Sequence, residues 1–243
     1  MILVLSIEVS NVSVETLFSV AREVTGKDAA RHHYLLNAYR KGLKNYRLIS
    51  SGELLKHGLL KKGALPEYVQ RFVSDHGEVM LIANMIAGTP ASLVIRSLKE
   101  KDFIGYGQSK GLFYGLGDLS PDFKYGDWIV LVEGTLDRDA ILDIYPNVLA
   151  TLSASLSILQ YEILETLTNR VILLFDNDES GRKGAYTVKK KLYDRKIVYR
   201  QINHPPNVKD TGEIAELLAK GKHFDYDARI NYYRQWIDNI TLS

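Results

Sequence analysis

The sequence of 243 residues predicts an α/β protein, a parallel sheet flanked by helices, preceded by a smaller α+β region. Three observations predict it. From Trp128 onward, short apolar runs alternate with amphipathic stretches, the rhythm of parallel strands joined by helical crossovers. The run VILLF ends abruptly in Asp176-Asn177-Asp178, so a buried strand stops at a charged lip. Before Gly126 the pattern differs, with helical spacing broken by a hairpin signature.

In chain order, ILVLSIEV reads as a short strand. Residues 14–24, with Ser13 as N-cap, and residues 28–42 carry apolar positions at helical spacing. Ser50-Ser51-Gly52-Glu53 reads as a capped start to a short helix ending near Gly58. Pro66 suits a first helical turn, and Gly77 ends that helix. EVMLIANMI and ASLVIRSL, joined by Ala87-Gly88-Thr89-Pro90, read as a hairpin. A glycine-rich stretch covers residues 105–117. Then WIVLVE is a strand, 136–144 a helix, NVLATLS a strand and 158–168 a helix. VILLF, helix 181–194, strand IVYRQI and helix 211–218 complete the series. The expected division is an N-terminal region over 1–126, an α/β domain over 127–222 and a tail or helix over 223–243. Tyr232, Tyr233 and Trp236 suit that last segment to docking, on the core in preference to a partner.

Composition narrows the function. Hydrophobic content of 46% and charged content of 25% are those of an ordinary globular protein. There is no cysteine, which excludes disulfides and thiolate zinc sites and suggests a reducing compartment. No apolar run is long enough to span a bilayer, and Glu8 interrupts an already poor signal sequence. The net charge of +2 does not by itself argue for nucleic acid. Lysine and arginine cluster locally, as at Arg96, Lys99, Lys101 and Lys110, and any one such cluster reads equally as a solvated face.

The acids at strand ends carry the chemistry. WIVLVE ends at Glu133-Gly134, with Asp137 one helical turn on. VILLF ends at Asp176 and Asp178, and IVYRQI is followed by Asp210 and Glu213. Ligands of open parallel sheets gather at the carboxyl ends of strands. Carboxylates brought together there repel one another, and a hard divalent cation such as Mg²⁺ resolves the conflict. Any one of these acids alone reads more simply as a cap or turn residue. Three other motifs fail on context. The Asp176-to-Gly181 run imitates an EF-hand loop, but Thr187 stands where the bidentate glutamate belongs. Gly107-Gln108-Ser109-Lys110-Gly111 matches G-x-S-x-G without the strand and helix a nucleophile elbow needs. No Walker motif exists, and the six histidines read as structural or surface residues.

Glu133-Gly134-Thr135-Leu136-Asp137 followed by Asp176-Asn177-Asp178-Glu179-Ser180-Gly181 resembles the TOPRIM domain of topoisomerases, DnaG-type primases and several nucleases. Lys110-Gly111-Leu112-Phe113-Tyr114-Gly115-Leu116 resembles the K-G-x-x-L-Y-G-L segment of the primases, one residue shorter, and favours that branch. The match runs from about Gly105 to Leu218, with Arg96 near a basic position of the looser preceding hairpin.

The resemblance implies a TOPRIM-type sheet and a primase catalytic core that makes short RNA primers on single-stranded DNA. It implies Mg²⁺ or Mn²⁺ held by Asp176 and Asp178. Glu133 would be a ligand or the general base, and Asp137 and Asp210 would serve a second metal or its waters. Arg96, Lys101, Lys110 and Arg182 would contact template or nucleoside triphosphate. Gly134 and Gly181 would leave room for backbone near phosphates. Tyr106 and Tyr114 would stack on bases or pack in the core. Implied partners are the template, nucleoside triphosphates and a replicative helicase or separate zinc-binding subunit, in bacterial or phage-infected cytosol. The pattern departs from the family in four places: no cysteine for a zinc module, about 25 residues after 218, Asp210-Thr211-Gly212 where D-P-D is usual, and Ser153-Ala154 where a G-T pair is usual. Those departures suit a core encoded alone, and they leave open a TOPRIM nuclease or a non-catalytic nucleic-acid-binding subunit.

Overall fold

The computed structural model describes residues 46–48, 71–74, 79–86, 89–97, 103–107, 111–142, 144–205, 208–211 and 226–242. The expected strand in 2–9, the helices in 14–24, 28–42 and 50–58, and residues 212–218 of the last crossover helix lie outside them. Among the described residues no helix is long and apolar enough to cross a membrane.

The N-terminal region contains an antiparallel meander of β1 (Tyr46–Leu48), β2 (Arg71–Ser74), β3 (Val79–Ile86), β4 (Thr89–Ser97) and β5 (Phe103–Gly107), in that spatial order. β2 corrects the helix expected between Pro66 and Gly77. Arg-Phe-Val-Ser is short and rich in strand-favouring residues, and Phe72 pairs with both Leu48 and Leu81. Pairing on two sides outweighs punctuation by proline and glycine. The hairpin of β3 and β4 forms, but with a shorter connection, because β4 already begins at Thr89. Among the described residues β5 pairs with β4 only from Ser92 onward, so no described strand faces Pro90 on that side, a position that tolerates proline.

The C-terminal half is a parallel sheet in the order β7-β6-β8-β9. Its strands are β6 (Ile129–Val132), β7 (Val148–Ala150), β8 (Arg170–Leu173) and β9 (Val198–Gln201). Among the described residues four helices flank it: α1 (Thr135–Ile141), α2 (Ile158–Leu167), α3 (Glu179–Asp194) and α4 (Tyr226–Thr241). Strand periodicity divides the core into two layers. Val130, Val132 and Ile172 face Ile141 of α1 and Tyr233, Ile237 and Ile240 of α4. Ile129, Leu131, Val171 and Leu173 face Leu164 of α2 and Val188 and Leu192 of α3. The C-terminal aromatics therefore dock on the core: Tyr233 is buried, and Tyr232 Oη donates to the Asn203 carbonyl at 2.8 Å. Trp236 remains 48% exposed.

Two buried polar residues brace the segment between the sheets. Asn84 on β3 donates to the Phe113 carbonyl at 3.0 Å and accepts from the Gly115 amide at 3.1 Å, so its amide is used on both sides. Arg138 on α1 is wholly buried. Its Nε donates to the Val148 carbonyl at 3.0 Å, and its Nη2 lies 3.1 Å from Asp118 Oδ2. That approach lies off the N–H directions, so the pair is chiefly coulombic. Gly115 has φ +88, and a Cβ there would lie 2.0 Å from Arg138 Nε, so only glycine fits. Tyr114 is buried beneath the same guanidinium, 5.2 Å from its ring centre, which assigns it to core packing and not to base stacking. Tyr106 lies on β5.

Removing one member of a buried ion pair strands the other charge. Arg138→Met is expected to lower unfolding free energy by about 3 kcal/mol, measured from the urea midpoint at unchanged slope. A loss below about 1 kcal/mol would show that Arg138 behaves as a surface residue.

Candidate active site

Strand order places the acids. β7 lies on one side of β6 and β8 on the other, so the chain reverses its direction of sheet growth between β6 and β8. Crevices at such reversals, outside the carboxyl ends of the strands, are where open α/β sheets bind ligands. Glu133 follows β6, and Asp176-Asn177-Asp178 lies beyond β8. The Asp176 amide donates to Glu133 Oε1 at 3.0 Å, tying the two strand ends together.

α3 begins at Glu179, earlier than the expected Gly181, because Asp178 is its N-cap. Asp178 Oδ1 accepts from the Gly181 amide at 2.8 Å. A Cβ at Gly181 would lie 2.1 Å from the Asp176 carbonyl and 2.7 Å from Glu133 Oε1. The space at this glycine is filled by the protein's own acidic loop. Gly134 behaves alike: a Cβ there would lie 2.5 Å from Asp137 Oδ2, which accepts from the Gly134 amide at 3.2 Å. Asp137 Oδ1 accepts from Thr211 Oγ1 at 2.8 Å, so Asp137 caps α1 and anchors the third acidic segment. Arg182 Nη1 donates to the Asn177 carbonyl at 2.7 Å and braces the loop.

Residues 208–211 run beside this loop. The Asn177 amide donates to the Lys209 carbonyl at 2.6 Å, and Asn177 Nδ2 to the Val208 carbonyl at 3.4 Å. This brings Lys209 Nζ to 3.1 Å from Asp178 Oδ2 and 3.7 Å from Asp176 Oδ2. Lys209 is the charged neighbour of the acids that the strand-end reading misses. Its only signal is adjacency to Asp210.

The charges are unequal in environment. Burial raises the Asp176 carboxyl to about 7, with Asp137, Glu133 and Asp210 adding repulsion and Lys209 opposing them. Burial also raises Glu133, against the hydrogen bond from the Asp176 amide. Asp178 is lowered, first by the Gly181 amide and then by Lys209. Glu133, Asp137, Asp176, Asp178 and Asp210 are thus near enough to act on one another. Among the described residues, however, no three His, Cys, Asp or Glu side chains are gathered tightly enough to enclose an ion. By donor type the carboxylates fit a hard divalent cation, and the ammonium beside Asp176 and Asp178 shows that the pair accepts positive charge. An ion drawing in more of them requires side chains to turn from their present hydrogen bonds.

A small cleft of about 80 Å³ opens beside Asp176, lined by Asn177, Arg182, Gln201, Asn203 and His204 among others. His204 is buried, and its Nδ1 lies 2.7 Å from Tyr233 Oη, in keeping with a structural role. Arg96 lies on β4 opposite Met80 and Phe103. Lys101, Lys110, Ser109 and Glu213 lie outside the described residues.

A family model described as Toprim-like matches residues 130–215. The fold is that of DnaG-type primase catalytic cores. The zinc-binding and RNA polymerase domains of Aquifex aeolicus primase align with TM-score 0.52 at 20% identity, over 90% of this chain and 49% of that one. The RNA polymerase domain of Mycobacterium tuberculosis primase DnaG aligns with TM-score 0.51 at 18% identity, over 91% and 77%. A DnaG primase catalytic domain bound to single-stranded DNA aligns with TM-score 0.50 at 18% identity, over 77% and 62%. The chain thus spans about half the length of the Aquifex two-domain structure and 62% of the DNA-bound catalytic domain. No curated protein sequence matches it.

The raised Asp176 predicts a pH dependence. Its folded value of about 7 exceeds the ordinary 3.8, so between these values the folded state holds the extra proton. Stability is then lost as pH rises through that window. In EDTA, unfolding free energy is expected to fall by about 1–2 kcal/mol between pH 5 and 8, allowing for solvent screening. Asp176→Asn should flatten the profile in chemical denaturation at each pH; an unchanged profile would assign it to other groups.

Proposed function

We propose that this chain is a DNA primase catalytic core, a nucleotidyltransferase that synthesises short RNA primers on single-stranded DNA with Mg²⁺ or Mn²⁺. The observation that supports this most is the meeting of Glu133 with the Asp176–Asp178 loop at the strand-order reversal of a Toprim-like domain. In this reading a nucleotide 3′-hydroxyl attacks the α-phosphate of an incoming nucleoside triphosphate, and pyrophosphate leaves.

Asp176 and Asp178 hold the divalent ion, which supplies charge neutralisation at the phosphate oxygens. Glu133 joins them or accepts the proton of the attacking hydroxyl. Its raised proton affinity, caused chiefly by burial, improves it as a base. Asp137, held by Thr211 and the Gly134 amide, orients waters together with Asp210. Arg182 keeps the Asn177 loop in place beside the incoming triphosphate. Arg96, Lys101 and Lys110 bind template phosphates, so affinity follows salt. A replicative helicase or a separate zinc-binding subunit completes the machinery in bacterial or phage-infected cytosol.

Purified protein, single-stranded DNA, labelled ribonucleotides and Mg²⁺ or Mn²⁺ should yield short ribonucleotide products on a gel. Asp176→Ala should reduce their rate at least about a hundredfold. Strand cleavage without triphosphates would support a nuclease instead. Template binding with no turnover under either metal, unchanged in Asp176→Ala, would support a non-catalytic subunit. For the template contact, Lys110→Ala should weaken oligonucleotide binding and reduce the slope of log affinity against log salt by about 0.7. An unchanged slope in fluorescence anisotropy would remove Lys110 from the interface.

A further inference from the structure

The cation that accompanies the acidic site belongs to the chain itself. Lys209 Nζ lies 3.1 Å from Asp178 Oδ2 and 3.7 Å from Asp176 Oδ2, against the same two carboxylates assigned above to the divalent ion. Its backbone is fixed there: Val208 and Thr211 on either side are buried, and the Lys209 carbonyl accepts from the Asn177 amide. Its side chain is 50% exposed, so the ammonium can leave for solvent without breaking the core. A monovalent group on a short tether is present at high effective concentration and cannot diffuse away.

We propose that Lys209 is a tethered counter-cation, which occupies the Asp176–Asp178 pair when no divalent ion is bound and competes with that ion for it. This rests on the metal-site reading of the two aspartates. Lys209 is a positioning residue in this account. It spares the acidic loop from self-repulsion before the ion arrives, and it sets how much ion is needed to load the site. The ion displaces the ammonium toward solvent, and no bond other than ionic contact is made or broken.

The test is Mn²⁺ titration of the full chain, with free Mn²⁺ read by electron paramagnetic resonance. Wild type, Lys209→Met, Lys209→Gln, Lys209→Arg and Asp176→Asn are compared, each checked for folding by circular dichroism. Removing a half-exposed competitor should tighten Mn²⁺ binding about threefold to fivefold in Lys209→Met and Lys209→Gln, the scale of an exposed ion pair. Lys209→Arg should stay within about twofold of wild type. A residue that only braces the loop would weaken binding when removed. Unchanged or weaker binding in both neutral variants, with binding still abolished by Asp176→Asn, overturns the role of Lys209 and leaves the metal site standing. Absence of any binding that Asp176→Asn abolishes overturns the metal site, and the role of Lys209 with it.

Discussion

Burial of carboxylates beside one another is the constraint around which the acidic site is arranged. Adjacent parallel strands β6 and β8 both end in acid where the strand order reverses, and a small cleft opens beside Asp176 on the β9 side. Ordinary packing would place apolar or paired groups there. Here the charges are held by donors that the fold supplies: the Asp176 amide for Glu133, the Gly181 amide for Asp178, and the Gly134 amide with the Thr211 hydroxyl for Asp137. The N-terminus of α3 adds its partial positive charge at Asp178. These donors do not fully offset the burial of Asp176, which keeps its proton affinity high, and this residual cost is what a cation relieves.

The same constraint accounts for the glycines and for the rigidity behind the site. Gly181 lets α3 start against the Asp176 carbonyl, and Gly184 lets its next turn press on the Ala154 carbonyl, where a Cβ would lie at 1.9 Å. On the opposite layer, Arg138 ties α1, which carries Asp137, to β7 and to the 3₁₀ turn at Leu116–Asp118. Asn84 extends that tie to the antiparallel sheet. Arg96 lies on β4 of that sheet, the neighbour of the strand that carries Asn84. Sites supported in this way keep their geometry better than sites on free loops.

Much of this was legible in the sequence. The parallel strands appeared because WIVLVE and VILLF are continuous apolar runs, and their helices because α3 separates a buried face from a charged one. The acids appeared because position at a strand end carries chemical meaning. Other features were hidden for identifiable reasons. β2 is four residues long, too short for its period to oppose the helix signals of Pro66 and Gly77. Tyr114 carries no local mark of burial; it is buried because Arg138, distant in sequence, lies over its ring. Asp178 as both cap and site residue follows from one geometry, since an N-cap at the end of a strand is itself at the crevice. Lys209 lies on a loop with no periodicity, and the bonds from Asn177 to residues 208 and 209 help bring it to the aspartates.

The account therefore stands on one claim: that the ends of β6 and β8 form a single cation-binding locus. Anomalous diffraction from crystals soaked in Mn²⁺ tests it most directly. The account predicts a peak bounded by Glu133, Asp176 and Asp178, with Lys209 turned away from them. Strong Mn²⁺ peaks elsewhere and none at this locus, with the lysine still seated on the aspartates, would contradict it.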